Sequence, residues 1–214
     1  LWHIGRVRPE QVLAPIYGSA WRYRHRARLS VREVAKKGTV LVGFHEKRSS
    51  FIADMKSCEI LPKRVSDLLV PLRELINSLS LRKKLPQIEL AVTDEALALV
   101  LRVLEKPTAD DEAKLRQFQK DYGVDFWYQP KGPDSIYPMD PENAARLKLH
   151  HRETGVEVVF RPTDFTQVNH RLNEVMVTRA LRLLHLEPSS KVIDFFCGLG
   201  NFTLPLATRT AKVL

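Results

Sequence analysis

Polar and nonpolar positions alternate over residues 21–30, and an apolar run follows at 40–44 after the turn-forming Lys36-Lys37-Gly38-Thr39, which together predict a β-hairpin. A third short strand is expected at 51–55. From Pro62 the period changes: Val65, Leu68, Leu69, Leu72, Leu75, Ile76 and Leu79 recur at helical spacing, with Pro71 placed to kink or split the helix. Strands are predicted at 88–92 and 96–104 about the turn Thr93-Asp94-Glu95. A helix at 110–122 carries acids in its first turn, where the helix dipole favours them, and a strand follows at 124–128. Residues 129–142 hold Pro130, Gly132, Pro133, Pro138 and Pro141 and read as a loop. Strands and helices do not alternate strictly, which predicts an α+β domain with an antiparallel sheet over residues 1–160.

The remaining residues, 161–214, have a different pattern. After a strand at 156–160 comes the polar connection Arg161-Pro162-Thr163-Asp164-Phe165-Thr166-Gln167-Val168-Asn169. A helix follows, with Asn169 as N-cap and Leu172, Val175, Met176, Ala180, Leu183 and Leu184 on its apolar face. Beyond Pro188-Ser189-Ser190, a buried-type strand runs from Lys191 into a glycine turn and a second helix, which is how an α/β unit opens.

Composition narrows the class. An apolar fraction of 44% in 214 residues supports a packed core, and two cysteines cannot form the disulfide framework of a small secreted domain. Charge interrupts every apolar run well before the ~20 residues a membrane helix needs, and no secretory segment opens the chain, so a cytoplasmic protein without membrane contact is expected. The first residue, Leu1, is not Met, which raises the expectation of a fragment.

The net charge of +9 is localised. Residues 1–64 hold 14 of the 34 Lys and Arg but 5 of the 25 Asp and Glu, so the whole excess lies there and the rest is neutral. Its densest part is Trp21-Arg22-Tyr23-Arg24-His25-Arg26-Ala27-Arg28-Leu29-Ser30. On a strand, Arg22, Arg24, Arg26 and Arg28 would share one side and repel one another unless an anion lay against them. RNA phosphates supply that anion, and Trp21 and Tyr23 add stacking surface. The alternative is a solvated edge strand kept positive against aggregation.

The strongest chemical signal is Asp194-Phe195-Phe196-Cys197-Gly198-Leu199-Gly200-Asn201-Phe202-Thr203. Gly198 and Gly200 in a strand-to-helix turn let a ligand approach the backbone. Position 203 is Thr where a dinucleotide fingerprint needs a third glycine, which disfavours NAD and FAD. S-adenosylmethionine, which has no pyrophosphate, suits a two-glycine turn after an Asp-bearing strand. A purely structural tight turn is the alternative.

Residues 194–207 resemble the first cofactor motif of the RNA 5-methyluridine methyltransferases, and Asp164-Phe165-Thr166-Gln167-Val168-Asn169 resembles the segment that precedes that family's catalytic domain. Residues 21–30 are similar to its basic central-domain strand, and Lys56-Ser57-Cys58-Glu59-Ile60-Leu61 to the site of an isolated iron–sulfur cysteine. The nearest branch acts on bacterial 23S ribosomal RNA and carries a 4Fe-4S cluster. The resemblance implies a Rossmann-like S-adenosylmethionine-dependent methyltransferase domain opening at 161. It implies that Gln167, Phe196 and Asn201 contact S-adenosylmethionine, with Asp194 in the same motif and Gly198 and Gly200 shaping the turn, and that Phe165 lies near the target uridine. Read without it, Gln167 is a loop amide, Asn201 a helix cap and Phe196 a core aromatic.

By the same resemblance Cys58 is one of four thiolate ligands. Read alone it is a small buried hydrophobe, and a single thiolate cannot hold a cluster. Uracil C5 becomes nucleophilic enough to accept a methyl group only after a thiolate adds at C6, and the family's nucleophile and base lie in later motifs beyond Leu214. Cys197 is therefore expected to be a packing residue, no catalytic residue is expected within 1–214, and the chain alone is expected not to methylate RNA. An intact enzyme is expected to be monomeric. A transfer RNA methyltransferase and a non-catalytic RNA-binding module remain the rival readings, and Cys58 favours the ribosomal substrate.

Overall fold

The computed structural model of the protein describes residues 2–214, so Leu1 lies outside the described residues. A short helix α1 (Trp2–Gly5) and an irregular segment precede a six-stranded sheet. The strands are β1 (Arg26–Val34), β2 (Thr39–Gly43), β3 (Gln87–Val92), β4 (Leu97–Arg102), β5 (Asp125–Gln129) and β6 (Tyr137–Pro138), in the order β2-β1-β3-β4-β5-β6. All neighbours are antiparallel except β4 and β5. That pair is parallel because α4 (Ala109–Tyr122) returns the chain across the sheet, so the expected antiparallel sheet contains one βαβ crossover.

One sheet face is apolar. Leu29, Val31, Val40, Ile88, Leu90, Leu99 and Phe126 pack against Leu69, Leu72, Ile76, Leu115 and Phe118 of the covering helices. The helix expected from Pro62 is divided into α2 (Lys63–Ser66) and α3 (Leu69–Ser78). The break falls before Pro71, which lies in the first turn of α3, where a missing N–H leaves no helical bond unmade.

The strand expected at 51–55 is reduced to a single bridge, His45↔Ile52. The chain crosses too close to β2 to run beside it. The Ala53 N–H bonds the Phe44 carbonyl at 2.9 Å, and a Cβ on Gly43 would stand 2.9 Å from the Ala53 carbonyl oxygen. Asp54 is then held by ion pairs to Lys37 and Arg73.

The second sheet face is divided. Ala91 and Ala98 leave room for an unexpected hairpin, β7 (Leu147–His151) with β8 (Val156–Phe160), whose Leu147, Leu149, Val158 and Phe160 pack there. The β7 segment carries only two apolar side chains and two histidines, too weak an alternation to stand out. Further along the same face, Arg28, Gln87, Glu89, Arg102 and Gln129 stay polar.

From β8 the chain passes through 161–169 to α5 (His170–Leu183), with Asn169 accepting the Leu172 N–H at 3.0 Å as the expected N-cap. The buried stripe of α5 is Asn173, Val177 and Leu181, rotated from the expected face, and Val175, Leu183 and Leu184 are exposed. Two apolar stripes run along this helix, and its packing partner selects one. Val177 and Leu181 pack with Leu206 of α6 (Thr203–Ala207), beside the two-residue parallel strands β9 (Lys191–Val192) and β10 (Lys212–Val213). The expected buried strand at 191–196 is correspondingly short: Ile193, Phe195 and Phe196 are exposed.

The two parts are joined at His25, whose N–H bonds the Val168 carbonyl at 2.8 Å and whose ring stacks on His170 at 4.5 Å. Burial, and secondarily His25, push the His170 pKa down to about 4, so the His170 ring is neutral at pH 7.

Helix α4 begins with a capping box between Thr108 and Asp111. Asp111 is fully buried and also accepts the Ser80 N–H at 2.7 Å and the Ser80 hydroxyl at 2.6 Å. Burial alone would raise its pKa, but the bonds from Ser80 and Thr108 outweigh it and hold the carboxyl below its ordinary value. Its contribution is thus present above the unfolded pKa, near 3.8, and is lost as pH falls through the lower folded one. Asp111→Ala, which removes the acceptor of three part-buried hydrogen bonds from Ser80 and Thr108, is expected to cost about 1–3 kcal/mol at pH 7 by urea denaturation. That difference from wild type should shrink as the pH is lowered below the normal Asp range.

Candidate functional site

The glycine turn is built on unusual backbone. Phe196 adopts φ +62°, Gly198 φ +57° and Gly200 φ +85°. A left-handed conformation at a bulky aromatic costs about 1–3 kcal/mol and calls for a reason beyond packing. Packing is not the reason, because the Phe196 side chain is fully exposed. At Gly200 a Cβ would meet Leu204 at 3.0 Å, whereas at Gly198 it would point into open space with only the Phe196 carbonyl at 4.0 Å.

Side-chain bonds hold the turn in place. The Thr203 hydroxyl donates to Asp194 Oδ2 at 2.5 Å, and the Asp194 N–H bonds the Leu214 carbonyl at 2.8 Å. Thr203, whose presence argued against a dinucleotide, thus positions the acid. Asn201 exchanges two amide hydrogen bonds with Asn173, at 2.7 and 2.9 Å. It is not a helix cap, since the N-cap of α6 is Phe202 and no side chain caps that helix. Asn173 was not singled out from the sequence, and its one signal is an amide in an otherwise apolar helical stripe. Beside this pair His151 is buried, and burial holds its pKa below normal against the opposing pull of Glu174 and Asn201.

Opposite the turn, the 161–169 connection is clamped locally. The Arg161 N–H donates to Asp164 Oδ2 at 2.7 Å while its guanidinium holds Oδ1 at 3.0 Å. This displays Phe165, which is 80% exposed, and leaves Gln167 exposed. Between connection and turn lies a cavity of about 500 Å³, lined mainly by apolar groups with Asp194, Gln167 and Asn201 at its wall. Gln167, Phe196, Asn201, Gly198 and Asp194 all line it, and Gly200 lies beneath the turn. An adenosyl donor needs such a space, apolar for the base with a few convergent polar groups. The residues fit S-adenosylmethionine.

The arginines are distributed differently from expectation. The strand begins only at Arg26, and Arg22 adopts φ +60°, so the four do not share a strand face. Arg22 pairs with Glu59 at 2.8 Å and donates to the Cys58 and Leu61 carbonyls. Arg28 pairs with Glu89 at 2.6 Å. Two of the four charges are therefore answered within the protein. Arg24 has its Nε buried without a partner, and its guanidinium lies 5.8 Å from the Phe44 ring centroid. Arg26 is half-buried, and its guanidinium makes no hydrogen bond or ion pair among the described residues. Burial lowers its pKa, opposed by the more distant Glu89 and Asp164. Arg24, Arg26 and Arg28 border a second cavity of about 340 Å³ whose far wall is Phe165, Thr166 and Val168. Phe165 and Thr166 therefore stand between the two cavities.

Neither cysteine is bonded to the other. Cys197 is exposed and lines the larger cavity, so it is not the packing residue expected. No His, Lys or Arg lines that cavity to activate it. Cys58 is half-buried against the core, its N–H bonded to Ser66 Oγ at 2.8 Å. A 4Fe-4S cluster needs four ligands. Among the described residues no group of three or more His, Cys, Asp or Glu is placed to hold a metal ion, so these residues do not fit such a cluster.

A family profile described as tRNA (Uracil-5-)-methyltransferase matches residues 12–214. The chain is 56% identical over 214 residues to the 23S rRNA (uracil(1939)-C(5))-methyltransferase RlmD of Ralstonia pickettii, covering 100% of this chain and 47% of that protein. With the protein of the same name from Burkholderia lata it shares 58% over 214 residues, covering 100% of this chain and 46% of that one. It thus spans about half the length of the curated relatives it matches. The crystal structure of Pyrococcus abyssi tRNA (uracil-54, C5)-methyltransferase in complex with S-adenosyl-L-homocysteine superposes with TM-score 0.66 at 18% identity, covering 91% of this chain and 49% of that one. That likeness shows a shared fold. With the profile matching nearly every residue, the chain belongs to the tRNA (uracil-5-)-methyltransferase family.

Proposed function

We propose that the protein takes part in S-adenosylmethionine-dependent methylation of uridine C5 in 23S ribosomal RNA. The observation that carries this reading is the pair of cavities separated by Phe165 and Thr166. Methyl transfer brings a donor methyl and an acceptor carbon together from opposite sides, and a shared wall between a donor cavity and an anion cavity provides that arrangement. The names and 56–58% identity of the relatives support the ribosomal substrate over transfer RNA, which enters through the broad family description and a fold likeness at 18%.

In this reading Gln167, Phe196 and Asn201 contact the donor. Asp194, aligned by Thr203, places a carboxylate beside a cationic sulfonium, and the Gly198 backbone allows close approach. Phe165 stacks near the target uridine, and Arg24 and Arg26 bind phosphate because their charge is not met by the protein. Residues 1–160 form the RNA-binding domain and residues 161–214 belong to the methyltransferase domain. The 23S RNA substrate supports a cytoplasmic location, and no described helix is long and apolar enough to cross a membrane.

Two measurements test this. Isothermal titration with S-adenosylmethionine is expected to show one site, and Phe196→Ala to weaken it about tenfold, the worth of one aromatic contact. Because Phe196 is exposed and strained, its melting temperature should hold or rise. No heat of binding would remove the donor reading. For single-stranded RNA, log K against log salt should flatten by about 0.7 for each of Arg24→Ala and Arg26→Ala, and hardly change for Arg22→Ala, whose charge Glu59 already answers. An equal effect from all three would contradict the assignment.

A further inference from the structure

We propose that the polar end of the sheet's second face is a nucleobase subsite for a residue flanking the target uridine, selective for a base with N–H donors beside an acceptor, as in guanine. This rests on the RNA reading above. The strand register places Ser30, Gln87, Arg102 and Gln129 in one row across β1, β3, β4 and β5, with Arg28 and Glu89 in the next. The hairpin that covers Ala91 and Ala98 leaves these rows open as a cavity of about 240 Å³, closed at its rim by Pro133 and Thr163.

Two groups there have unused hydrogen-bonding capacity. Gln129 is only 4% exposed, its carboxamide makes no hydrogen bond among the described residues, and it lines the cavity, where its polar atoms face the open space. An amide held on a strand with no protein partner is free to bond a ligand that enters the cavity. Glu89 is 9% exposed and uses a single oxygen: Oε1 accepts from Arg28 Nε at 2.9 Å and Nη2 at 2.6 Å and from Gln87 Nε2 at 3.0 Å. Oε2 accepts nothing. A free carboxylate oxygen beside a free amide matches guanine, whose N1–H and N2–H₂ can go to Glu89 and whose O6 can take the Gln129 amide. Arg26, Arg28, Glu89 and Thr163 line both this cavity and the arginine cavity beside Phe165, so a strand held at Arg24 and Arg26 continues into it. All the reading groups stand on paired strands, which fixes their geometry before the RNA arrives.

The experiment is fluorescence anisotropy with labelled hexauridylate and a set in which one uridine at a time is replaced by guanosine, inosine or adenosine. Guanosine at one position should tighten binding about tenfold or more, inosine less, and adenosine not at all. In Gln129→Met the guanosine-to-uridine affinity ratio should fall close to one, with the melting temperature unchanged because the amide makes no hydrogen bond within the protein. Hexauridylate bound without preference for guanosine at any position would overturn the subsite while leaving the RNA reading intact. Hexauridylate unbound at low salt would overturn both. A Gln129→Met protein that melts lower and still prefers guanosine would assign the amide a purely structural role and overturn the proposal.

Discussion

The seating of the β7–β8 hairpin on Ala91 and Ala98 is the contact on which the rest of the site's geometry depends. Larger side chains at those two positions would lift Leu149, Val158 and Phe160 off the sheet. The hairpin delivers the 161–169 connection beside Arg24 and Arg26, and its Leu149 and Val158 also form part of the donor cavity wall. Two small residues in the middle of the sheet therefore set the distance between the anion cavity and the glycine turn. They also define where the hairpin ends and the polar part of the face begins.

The polar groups of the site fall into two kinds. Some are fully engaged within the protein and act as fixtures: Asp194 with Thr203, Asn201 with Asn173, Arg161 with Asp164, Arg22 with Glu59. Others are left without protein partners: the Arg24 Nε is buried, the Arg26 guanidinium is half-buried and the Gln129 amide faces its cavity. A polar group without a protein partner costs stability when it is desolvated, which is why Arg24 and Arg26 are the proposed points of phosphate contact. The strained backbone of Phe196 is a cost of the same kind at the donor cavity.

Several elements could be read directly along the chain because local physics determines them. The capped, acid-led helix α4, the hairpin of β1 and β2, the N-cap Asn169 and the glycine turn each carry their signal within a few residues. The β7 strand could not, because its central sheet contact is made to alanines more than fifty positions away and its own pattern is short. The buried face of α5 could not either. Its two apolar stripes are equivalent until α6 and the paired strands cover one of them.

The chain's order of residues by itself determined that a basic first third precedes a two-glycine strand-to-helix turn, and hence the classes of ligand involved. Charge content and the backbone freedom of glycine belong to the residues themselves and survive any folding. Only the tertiary structure decided which charges remain available. Whether an arginine meets Glu59, Glu89 or nothing depends on which distant carboxylate the sheet register and loop path bring within a few ångströms, and side-chain identity alone carries no such information.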